Sequence, residues 1–252
     1  MTASILITGA SSGLGAALAE AYAEPGTLLF LGGRNADRLA DVAAACRARG
    51  ADIHAQTVDV TDRAGTERWI LASDEERPLT LVIANAGISG GTGNRLGETA
   101  EQTREIFSAN LDGLLNTVLP IIPRMQARKK GQIALMSSLA SFRGMPGAPA
   151  YSASKAAVRV WGEGARGWLA KDGVGVTVIC PGFVETAMTA KNRFPMPFLM
   201  GAAQAAAIMR KGIDANKARI AYPWQMSSLA WLLAALPPAW TDGMLARAPK
   251  KG

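Results

Sequence analysis

The feature that most constrains the fold is a regular alternation of short apolar runs with longer helical patterns. Most of the short runs are continuously apolar, which is typical of strands that are covered by helices on both faces. Strands that alternate with helices are expected to lie parallel and to be joined by right-handed crossovers. We therefore predict an α/β fold with a doubly wound, seven-stranded parallel sheet. The predicted strands are 4–8, 27–32, 52–58, 79–85, 132–137, 174–180 and 219–221; the predicted helices are 14–23, 36–49, 63–76, 101–128, 152–171 and 202–216.

Size and charge limit the organisation of the chain and its partners. The chain has 252 residues, of which 49% are hydrophobic, and no Pro/Gly/Ser-rich linker divides it, so we predict one domain over 1–252. The formal net charge is +7, which could attract phosphate-bearing ligands, nucleic acid or an anionic membrane. The basic residues are scattered, however, so we predict a solvated basic surface and no nucleic-acid partner.

Histidine and cysteine usage disfavours several kinds of site. Cys46 and Cys180 are far apart and form no CxxC motif, so we expect two reduced thiols in a cytoplasmic protein. His54 is the only histidine, which disfavours a metal site and a histidine-based triad. The start of the chain has the pattern of a strand and lacks the pattern of a signal peptide. We therefore predict a cytoplasmic protein without a metal.

A glycine-rich turn follows the first predicted strand and opens the first helix. It reads Thr8-Gly9-Ala10-Ser11-Ser12-Gly13-Leu14-Gly15. Glycines permit a tight turn, a close approach to a pyrophosphate and close helix–strand packing, and the N–H groups of the helix then face the phosphates. This context predicts a dinucleotide site on a Rossmann-type fold. The alternative is a glycine turn that serves packing alone.

A second pattern predicts proton-transfer chemistry. Tyr151 and Lys155 are four residues apart, so on a helix they share a face, and Ser138 follows the fifth predicted strand. A nearby ammonium and an oxidised nicotinamide would lower the pKa of the Tyr151 phenol, which could then exchange a proton with a carbonyl or alcohol oxygen. Ser138 could hydrogen-bond that oxygen. The alternative is an ordinary helix start with an exposed tyrosine and lysine.

The TGxxxGxG spacing of the turn, together with Ser138, Tyr151 and Lys155, resembles the classical short-chain dehydrogenase/reductase family over residues 1–186. The resemblance implies that Asn110 bends a helix, orders a water behind Lys155 and completes a catalytic tetrad. It also implies a homodimer or homotetramer, and the paired Gly162 and Gly164 would permit close helix–helix approach. The resemblance further implies adenine contacts from Asp59 and Val60, adenosine contacts from Asn85, Ala86 and Gly87, and nicotinamide contacts from Pro181, Gly182, Val184 and Thr186. Ala84 departs from the family's asparagine, which would weaken a bond that braces the sheet.

The end of the second strand bears on the choice of dinucleotide. Sites selective for NAD usually place a carboxylate there for the ribose 2′-hydroxyl. This chain has Gly33 where the family's acid would stand, followed by Arg34, and a guanidinium can pair with a 2′-phosphate. We predict NADP(H) in preference to NAD(H), with Ser11 or Ser12 adding a hydroxyl. The alternative is that Arg34 merely faces solvent.

These motifs predict an NADP(H)-dependent oxidoreductase that interconverts a ketone, aldehyde or 3-oxoacyl group and its alcohol, with Tyr151 as general acid/base. The partners are then a small-molecule carbonyl compound and its alcohol. The alternative hypothesis is a catalytically silent NADP(H)-sensing regulator on the same fold.

The segments that could bind the substrate carry no motif that identifies it. We interpret 187–216 as a substrate lid region whose apolar residues 194–200 either line a pocket or form the core of the lid. Met145 and the loop 89–93 could add to that pocket. The segment 220–247 is largely apolar, and a run of 22 residues within it, 220–241, carries no charge. Packing on the core, a subunit contact and an interfacial membrane contact backed by Lys250 and Lys251 are the alternatives for it, with the membrane contact the least favoured.

Overall fold

A computed structural model describes residues 3–92, 97–190, 192 and 194–247. Within these residues a single sheet contains the strands β1 (Ser4–Thr8), β2 (Leu28–Gly33), β3 (Asp52–Thr57), β4 (Leu81–Ala84), β5 (Gly131–Met136), β6 (Val174–Pro181) and β7 (Arg219–Tyr222). The strands are parallel and their order is β3-β2-β1-β4-β5-β6-β7. The order reverses between β1 and β4, which creates a crevice at the carboxyl ends of those strands. The predicted seven-stranded, doubly wound parallel sheet is confirmed.

Helices join the strands and cover both faces of the sheet. Their bounds are α1 (Gly13–Tyr22), α2 (Ala36–Ala48), α3 (Arg63–Glu76), α4 (Ala100–Phe107), α5 (Gly113–Val118), α6 (Ile122–Ala127), α7 (Pro149–Leu169), α8 (Ala202–Asp214), α9 (Trp224–Ala235) and α10 (Pro238–Leu245). Helix α7 begins three residues before the predicted start because Pro149 occupies its first turn, where a missing N–H costs nothing.

The prediction of one continuous helix over 101–128 was wrong, because the structure divides this range into three α-helices. A π-helical segment, Ser108–Asp112, lies between α4 and α5, and a turn separates α5 from α6. Pro120 and Pro123 lie in and just after that turn, where each removes a backbone N–H that an unbroken helix would need. The π-helical segment carries Asn110, which agrees with the expected bend at that residue.

Taken together, Ala100–Ala127 is long and apolar enough to cross a membrane by length and composition. Half of its most apolar window is buried inside the protein. Burial of this kind is also what the core helix of an α/β domain shows, so this stretch is weak evidence for a membrane span.

Both faces of the sheet are buried, which explains why the strand runs are continuously apolar. Ile7 of β1 belongs to a buried cluster with Leu18 of α1 and Met209 of α8. Its neighbour Leu6 points to the opposite face and belongs to a second cluster that includes Val158 of α7. Each residue of a central strand therefore has an apolar environment.

The edge strand β3 differs from the central strands. Most of its residues are exposed, and the half-exposed His54 there lies 3.0 Å from Glu76. The histidine is therefore on the outer edge of the sheet, away from the switch point. Cys46 and Cys180 are both buried and free.

Candidate active site

A cavity of about 1100 Å³ opens at the carboxyl ends of the strands. This is where an open parallel sheet binds ligands. Three residues predicted to act at the site, Thr8, Gly15 and Asn110, are not in its wall. The predicted residues in its wall are Gly9, Ser11, Ser12, Gly13, Leu14, Arg34, Asp59, Val60, Asn85, Ala86, Gly87, Ser138, Tyr151, Lys155, Pro181, Gly182, Val184 and Thr186.

The glycine-rich turn has the geometry of a phosphate cradle. Gly9 has a φ of +68°, a left-handed conformation that favours glycine. A Cβ on Gly15 would collide with the carbonyl oxygen of Gly9, so glycine is what allows α1 to lie this close to β1. Ser12 precedes α1 in an extended conformation and, among the described residues, makes no side-chain capping bond. The first N–H groups of α1 are therefore available to an anion, and the turn fits a pyrophosphate.

Thr8 and Asn85 hold this turn from behind the cavity. The buried Thr8 hydroxyl accepts hydrogen bonds from the backbone N–H groups of Asn85 (3.1 Å) and Ala86 (3.2 Å). The Asn85 amide donates to the carbonyls of Thr8 (2.9 Å) and Gly9 (3.3 Å). Thr8 and Gly15 therefore shape the turn. The prediction that they contact the cofactor directly was wrong in that neither lines the cavity. Asn85 braces the sheet although the preceding residue is Ala84.

Two arginines lie at the end of the cavity that is predicted to hold the adenosine, which is called the adenosine end below. Arg34 follows β2 and is exposed in the cavity wall, as predicted, and Arg38 lies beside it one helical turn later. The side chain of Asn35 caps α2 by accepting a hydrogen bond from the Arg38 N–H at 2.8 Å, which fixes the first turn of the helix. Arg38 was not among the predicted residues, although its place in the first turn of the helix that follows β2 was the available signal.

Gly33 leaves no room for the acidic side chain that NAD-selective sites carry. A Cβ at this position would lie 2.9 Å from Cβ of Ser11 and 3.0 Å from its hydroxyl oxygen. An aspartate there would have to displace the phosphate turn. The packing around Gly33 therefore disfavours a carboxylate at the end of β2.

Asp59 lies across the same end of the cavity and is held as an anion. The Thr61 backbone N–H donates to its carboxylate at 3.0 Å and the Thr61 hydroxyl at 2.8 Å. The backbone hydrogen bond is the larger cause that lowers the pKa of Asp59, and Arg34 adds to it. The adenosine end therefore combines two cations with one fixed acceptor.

The proton-transfer residues converge in the middle of the cavity wall. Ser138 lies two residues after β5, and its side chain accepts a hydrogen bond from the Ala140 N–H at 3.1 Å. Tyr151, in the first turn of α7, shares a side-chain hydrogen bond with Ser138. The Lys155 ammonium lies 6.0 Å from the centre of the Tyr151 ring and donates to the Met136 carbonyl at 2.8 Å. Serine, tyrosine and lysine therefore face one another, as the sequence predicts.

The expected lowering of the Tyr151 pKa by Lys155 is not observed in the protein alone. Burial raises the pKa of the Tyr151 phenol, and the hydrogen bond with Ser138 offsets this only in part. Burial also lowers the pKa of Lys155 to about 8, because a charged ammonium is poorly solvated there. Burial therefore makes the charged form of Lys155 less stable than in water, and the Tyr151 phenol is protonated at neutral pH.

Asn110 lies behind these residues and connects two elements. Its side-chain oxygen accepts a hydrogen bond from the Ile88 N–H at 2.7 Å, and its amide donates to the Ile88 carbonyl and the Ser154 hydroxyl, both at 3.0 Å. A Cβ on Gly87 would lie 2.8 Å from Oδ1 of Asn110 and 3.2 Å from Nζ of Lys155. Asn110 thus ties the loop after β4 to α7 beside the lysine. Its role in ordering a water stays a prediction.

The loop after β6 closes the opposite end of the dinucleotide cleft. The Gly182 N–H donates to the Tyr222 carbonyl at 2.8 Å. The Thr189 hydroxyl donates to the Val184 carbonyl at 2.6 Å and accepts from the Thr186 N–H at 3.0 Å. Thr189, which also lines the cavity, was missed in the sequence and fixes the loop that carries the predicted nicotinamide contacts.

The predicted substrate lid region 187–216 divides among the cavity, the surface and the core. The lid interpretation was wrong for α8, because its Met209 and Ile213 belong to the buried core. Phe194 lines the cavity and packs edge-on against Phe183, with 6.0 Å between ring centres. Met145 also lines the cavity, whereas Phe198 and Leu199 are exposed. Of the loop 89–93, the described residues do not reach the cavity wall, and Gly93 lies outside the described residues.

The apolar C-terminal segment packs into the core only in part: Leu245 is buried and Met226 packs against the core, whereas three of its tryptophans do not. Trp224 and Trp231 of α9 are 72% and 61% exposed, and Trp240 of α10 is 75% exposed. Core packing is therefore wrong for these side chains, because the sheet is already covered by α7 and α8. The subunit and membrane interpretations stay predictions, and Lys250 and Lys251 lie outside the described residues.

Gly162 and Gly164 have different environments on α7. A Cβ on Gly162 would lie 2.5 Å from Leu135 and 2.7 Å from Val178, so this glycine allows α7 to pack closely on the sheet. A Cβ on Gly164 would meet no described atom within 4 Å. Only Gly164 therefore faces outward, and the expectation that both glycines serve a contact between helices was wrong for Gly162.

Comparisons with known proteins agree with this geometry. The family model for short chain dehydrogenases matches residues 3–196. An uncharacterized oxidoreductase of Myxococcus xanthus is 42% identical over 233 residues, which are 92% of each chain. A short-chain dehydrogenase from Sphingobium yanoikuyae, solved in complex with NADPH, has a TM-score of 0.81 and 26% identity over 98% of this chain and 96% of that one.

The fold is also shared with a short chain dehydrogenase from Mycobacterium paratuberculosis bound to NAD. Its TM-score is 0.80 at 22% identity, and the match covers 90% of this chain and 98% of that one. The family match, the parallel sheet and the site geometry lead to one conclusion. The chain is an oxidoreductase with a Rossmann-type fold and belongs to the short-chain dehydrogenase/reductase family.

Proposed function

We propose that this chain is an NADP(H)-dependent oxidoreductase that interconverts a ketone, aldehyde or 3-oxoacyl compound and the corresponding alcohol, with Tyr151 as the general acid/base. The observation that carries the proposal is the convergence of Ser138, Tyr151 and Lys155 in the cavity wall, where the Lys155 ammonium lies 6.0 Å from the centre of the Tyr151 ring. A silent nucleotide sensor would have no need for these three groups to converge.

The surroundings of Ser138, Tyr151 and Lys155 indicate a separate role for each residue. NADP(H), when bound on the glycine-rich turn, supplies or accepts a hydride. Ser138 donates a hydrogen bond to the carbonyl oxygen and stabilises the charge that develops on it. Tyr151 gives its proton to the same oxygen. Lys155, when charged, stabilises the resulting phenolate. Burial raises the pKa of Tyr151, so the phenol carries its proton at neutral pH and can donate it in the direction of carbonyl reduction.

The proposal is tested by following NADPH oxidation in the presence of ketones, aldehydes and 3-oxoacyl thioesters. We expect turnover with at least one of these classes, with an alcohol formed for each NADPH consumed. Protein that binds NADPH but consumes none with any class would favour the sensor instead.

The preference for NADP(H) is supported by the adenosine end of the cavity. Arg34 and Arg38 together provide two guanidinium groups that can pair with a 2′-phosphate. The crowding of Gly33 against Ser11 disfavours the acid that would select NAD(H). The solved relative from Sphingobium yanoikuyae was in complex with NADPH, which is consistent with this preference.

The proposed role of Lys155 predicts a dependence of the reaction on pH. The pKa of Lys155 is lowered from 10.5 to about 8, so the ammonium is charged below that value and neutral above it. We expect kcat/KM for carbonyl reduction to be flat up to about pH 7 and to fall by up to about tenfold per unit above pH 8. The measurement is a pH profile at saturating NADPH, which separates this effect from cofactor binding. A flat profile through about pH 9.5 would contradict the role given to the lysine.

We also propose that the protein acts in the cytoplasm as a homodimer or homotetramer. The exposed apolar residues Val160 and Trp168 on α7 and Trp231 on α9 support a subunit contact. Sedimentation equilibrium of the purified protein tests this, and a monomer at micromolar concentration would refute it.

A further inference from the structure

Helix α9 forms part of the wall of the cavity. Met226, Leu229, Ala230 and Leu233 line the cavity, and their spacing of three and four residues places them on one face of the helix. Within the described structure no residue of α9 is fully buried. This face therefore bounds the cavity, and its Met226 and Ala230 also pack against the edge of the buried core.

The charged and apolar parts of the cavity wall are separated along the sheet. Among the described lining residues the charged ones are Arg34, Arg38, Asp59 and Lys155. The first three follow β2 and β3, and Lys155 belongs to the proton-transfer group. The segments after β6 and β7 supply Phe194, Pro195 and the inner face of α9, which lie toward the opposite edge of the sheet. The described part of the wall beyond Tyr151 therefore carries no charge and is largely apolar, with Thr189 and Asn192 as polar members.

We propose that the substrate carries an extended, uncharged hydrocarbon chain next to its carbonyl group and that this chain lies against the inner face of α9. The proposal rests on the proposed function and names its substrate class. Each methylene that leaves water for this wall strengthens binding by about threefold to fourfold. A carboxylate at the far end of the chain would lose its hydration without gaining a cationic partner from the described wall.

The closing experiment compares methyl ketones of increasing length with a charged analogue. The substrates are 2-butanone, 2-heptanone, 2-decanone and 9-oxodecanoate, each with NADPH. We expect kcat/KM to rise by about threefold per added methylene and to be at least about a hundredfold lower for 9-oxodecanoate than for 2-decanone. Equal kcat/KM for 2-butanone and 2-decanone, or for 2-decanone and 9-oxodecanoate, would overturn the inference and leave the proposed function intact.

Adjacent residues of α9 offer a matched pair of variants. Leu233 lines the cavity, whereas Leu232 is exposed and is not in its wall. We expect Leu233→Asp to lower the ratio of kcat/KM for 2-decanone to that for 2-butanone by about tenfold to fiftyfold, and Leu232→Asp to leave this ratio unchanged. Leu229→Asp, at a position that is exposed like Leu232 but lines the cavity, is expected to act like Leu233→Asp if the latter fails to fold. Equal effects at Leu232 and at the two lining positions would refute the assignment.

A binding measurement keeps this inference separate from catalysis. In calorimetric titration of the NADPH-saturated protein with 2-butanol and 2-decanol, the cofactor and the alcohol are both reduced, so no hydride can be transferred. We expect markedly tighter binding of 2-decanol, lost in Leu233→Asp and retained in Leu232→Asp. If no ketone is reduced but this pattern holds, the proposed function fails and the chain-binding site stands. If 2-decanol binds no more tightly than 2-butanol, the chain-binding site fails.

Discussion

Replacing Tyr151 by phenylalanine is expected to lower kcat for carbonyl reduction by about 10²- to 10⁴-fold. The substitution removes the hydroxyl that shares a hydrogen bond with Ser138 and leaves the ring in place. The carbonyl oxygen then has no acid to protonate it, although Ser138 can still donate a hydrogen bond. The Kd of NADPH is expected to change by less than about threefold, because the glycine-rich turn and the two arginines do not depend on that hydroxyl.

A second tyrosine provides the control for this prediction. The Tyr22 hydroxyl donates to Asp214 at 3.1 Å between α1 and α8, outside the cavity wall. Tyr22→Phe removes an equivalent hydroxyl and is expected to leave kcat within about twofold of the wild type, because a distant hydrogen bond affects stability instead of chemistry. Single-turnover kinetics measure the rate of carbonyl reduction, and fluorescence titration measures the Kd of NADPH. A Tyr151→Phe protein that retains more than about a tenth of the wild-type kcat would contradict the role of the phenol.

Removing both adenosine-end arginines is expected to weaken NADPH binding by about thirtyfold or more and NADH binding by less than about threefold. Each guanidinium that pairs with a phosphate contributes about 1 to 2 kcal/mol even at a partly exposed site. NADH has no 2′-phosphate, so the double substitution Arg34→Ala and Arg38→Ala removes no such pair from it. Calorimetric titration with each dinucleotide at a fixed ionic strength measures the difference, since these pairs are screened by salt.

Arg49→Ala, at the opposite, C-terminal end of α2, is the control for the loss of a positive charge. Arg49 lies 2.6 Å from Glu20 and is outside the cavity wall. Its removal changes the net charge by the same unit as either single arginine variant, so it reports the general electrostatic effect. An equal loss of NADPH and NADH affinity in the double variant would contradict the proposed cofactor preference.

The parts of the molecule that could be predicted from sequence are those set by local spacing. Tyr151 and Lys155 share one helix, so their convergence follows from the helical repeat. The Gly9 conformation and the close packing at Gly15 follow from the position of the turn between β1 and α1. The alternation of strands with helices determined the sheet, because parallel strands require crossovers of this length.

The parts that could not be predicted depend on burial and on contacts between distant segments. The pKa of Tyr151 is raised instead of lowered because burial outweighs its neighbours, and spacing does not give burial. Thr8 was expected at the cofactor but is buried under Asn85, which is 77 residues away in sequence. The exposure of Trp224 and Trp231 likewise depends on α7 and α8 having already covered the sheet. Arg38 was not predicted because the sequence does not show that the first turn of α2 lies in the cavity wall.

The proposed hydride transfer from NADPH to a carbonyl carbon can be tested by following the hydride with an isotope. NADPH carrying deuterium at nicotinamide C4 is incubated with the protein and the carbonyl panel, and the alcohol products are analysed by mass spectrometry. We predict one deuterium on the carbinol carbon of the product from one of the two C4 stereoisomers of the labelled cofactor, and at least about a hundredfold less labelled product with Tyr151→Phe over the same time. Folded, NADPH-binding wild-type protein that transfers no deuterium to any carbonyl of the panel would contradict the proposed hydride transfer.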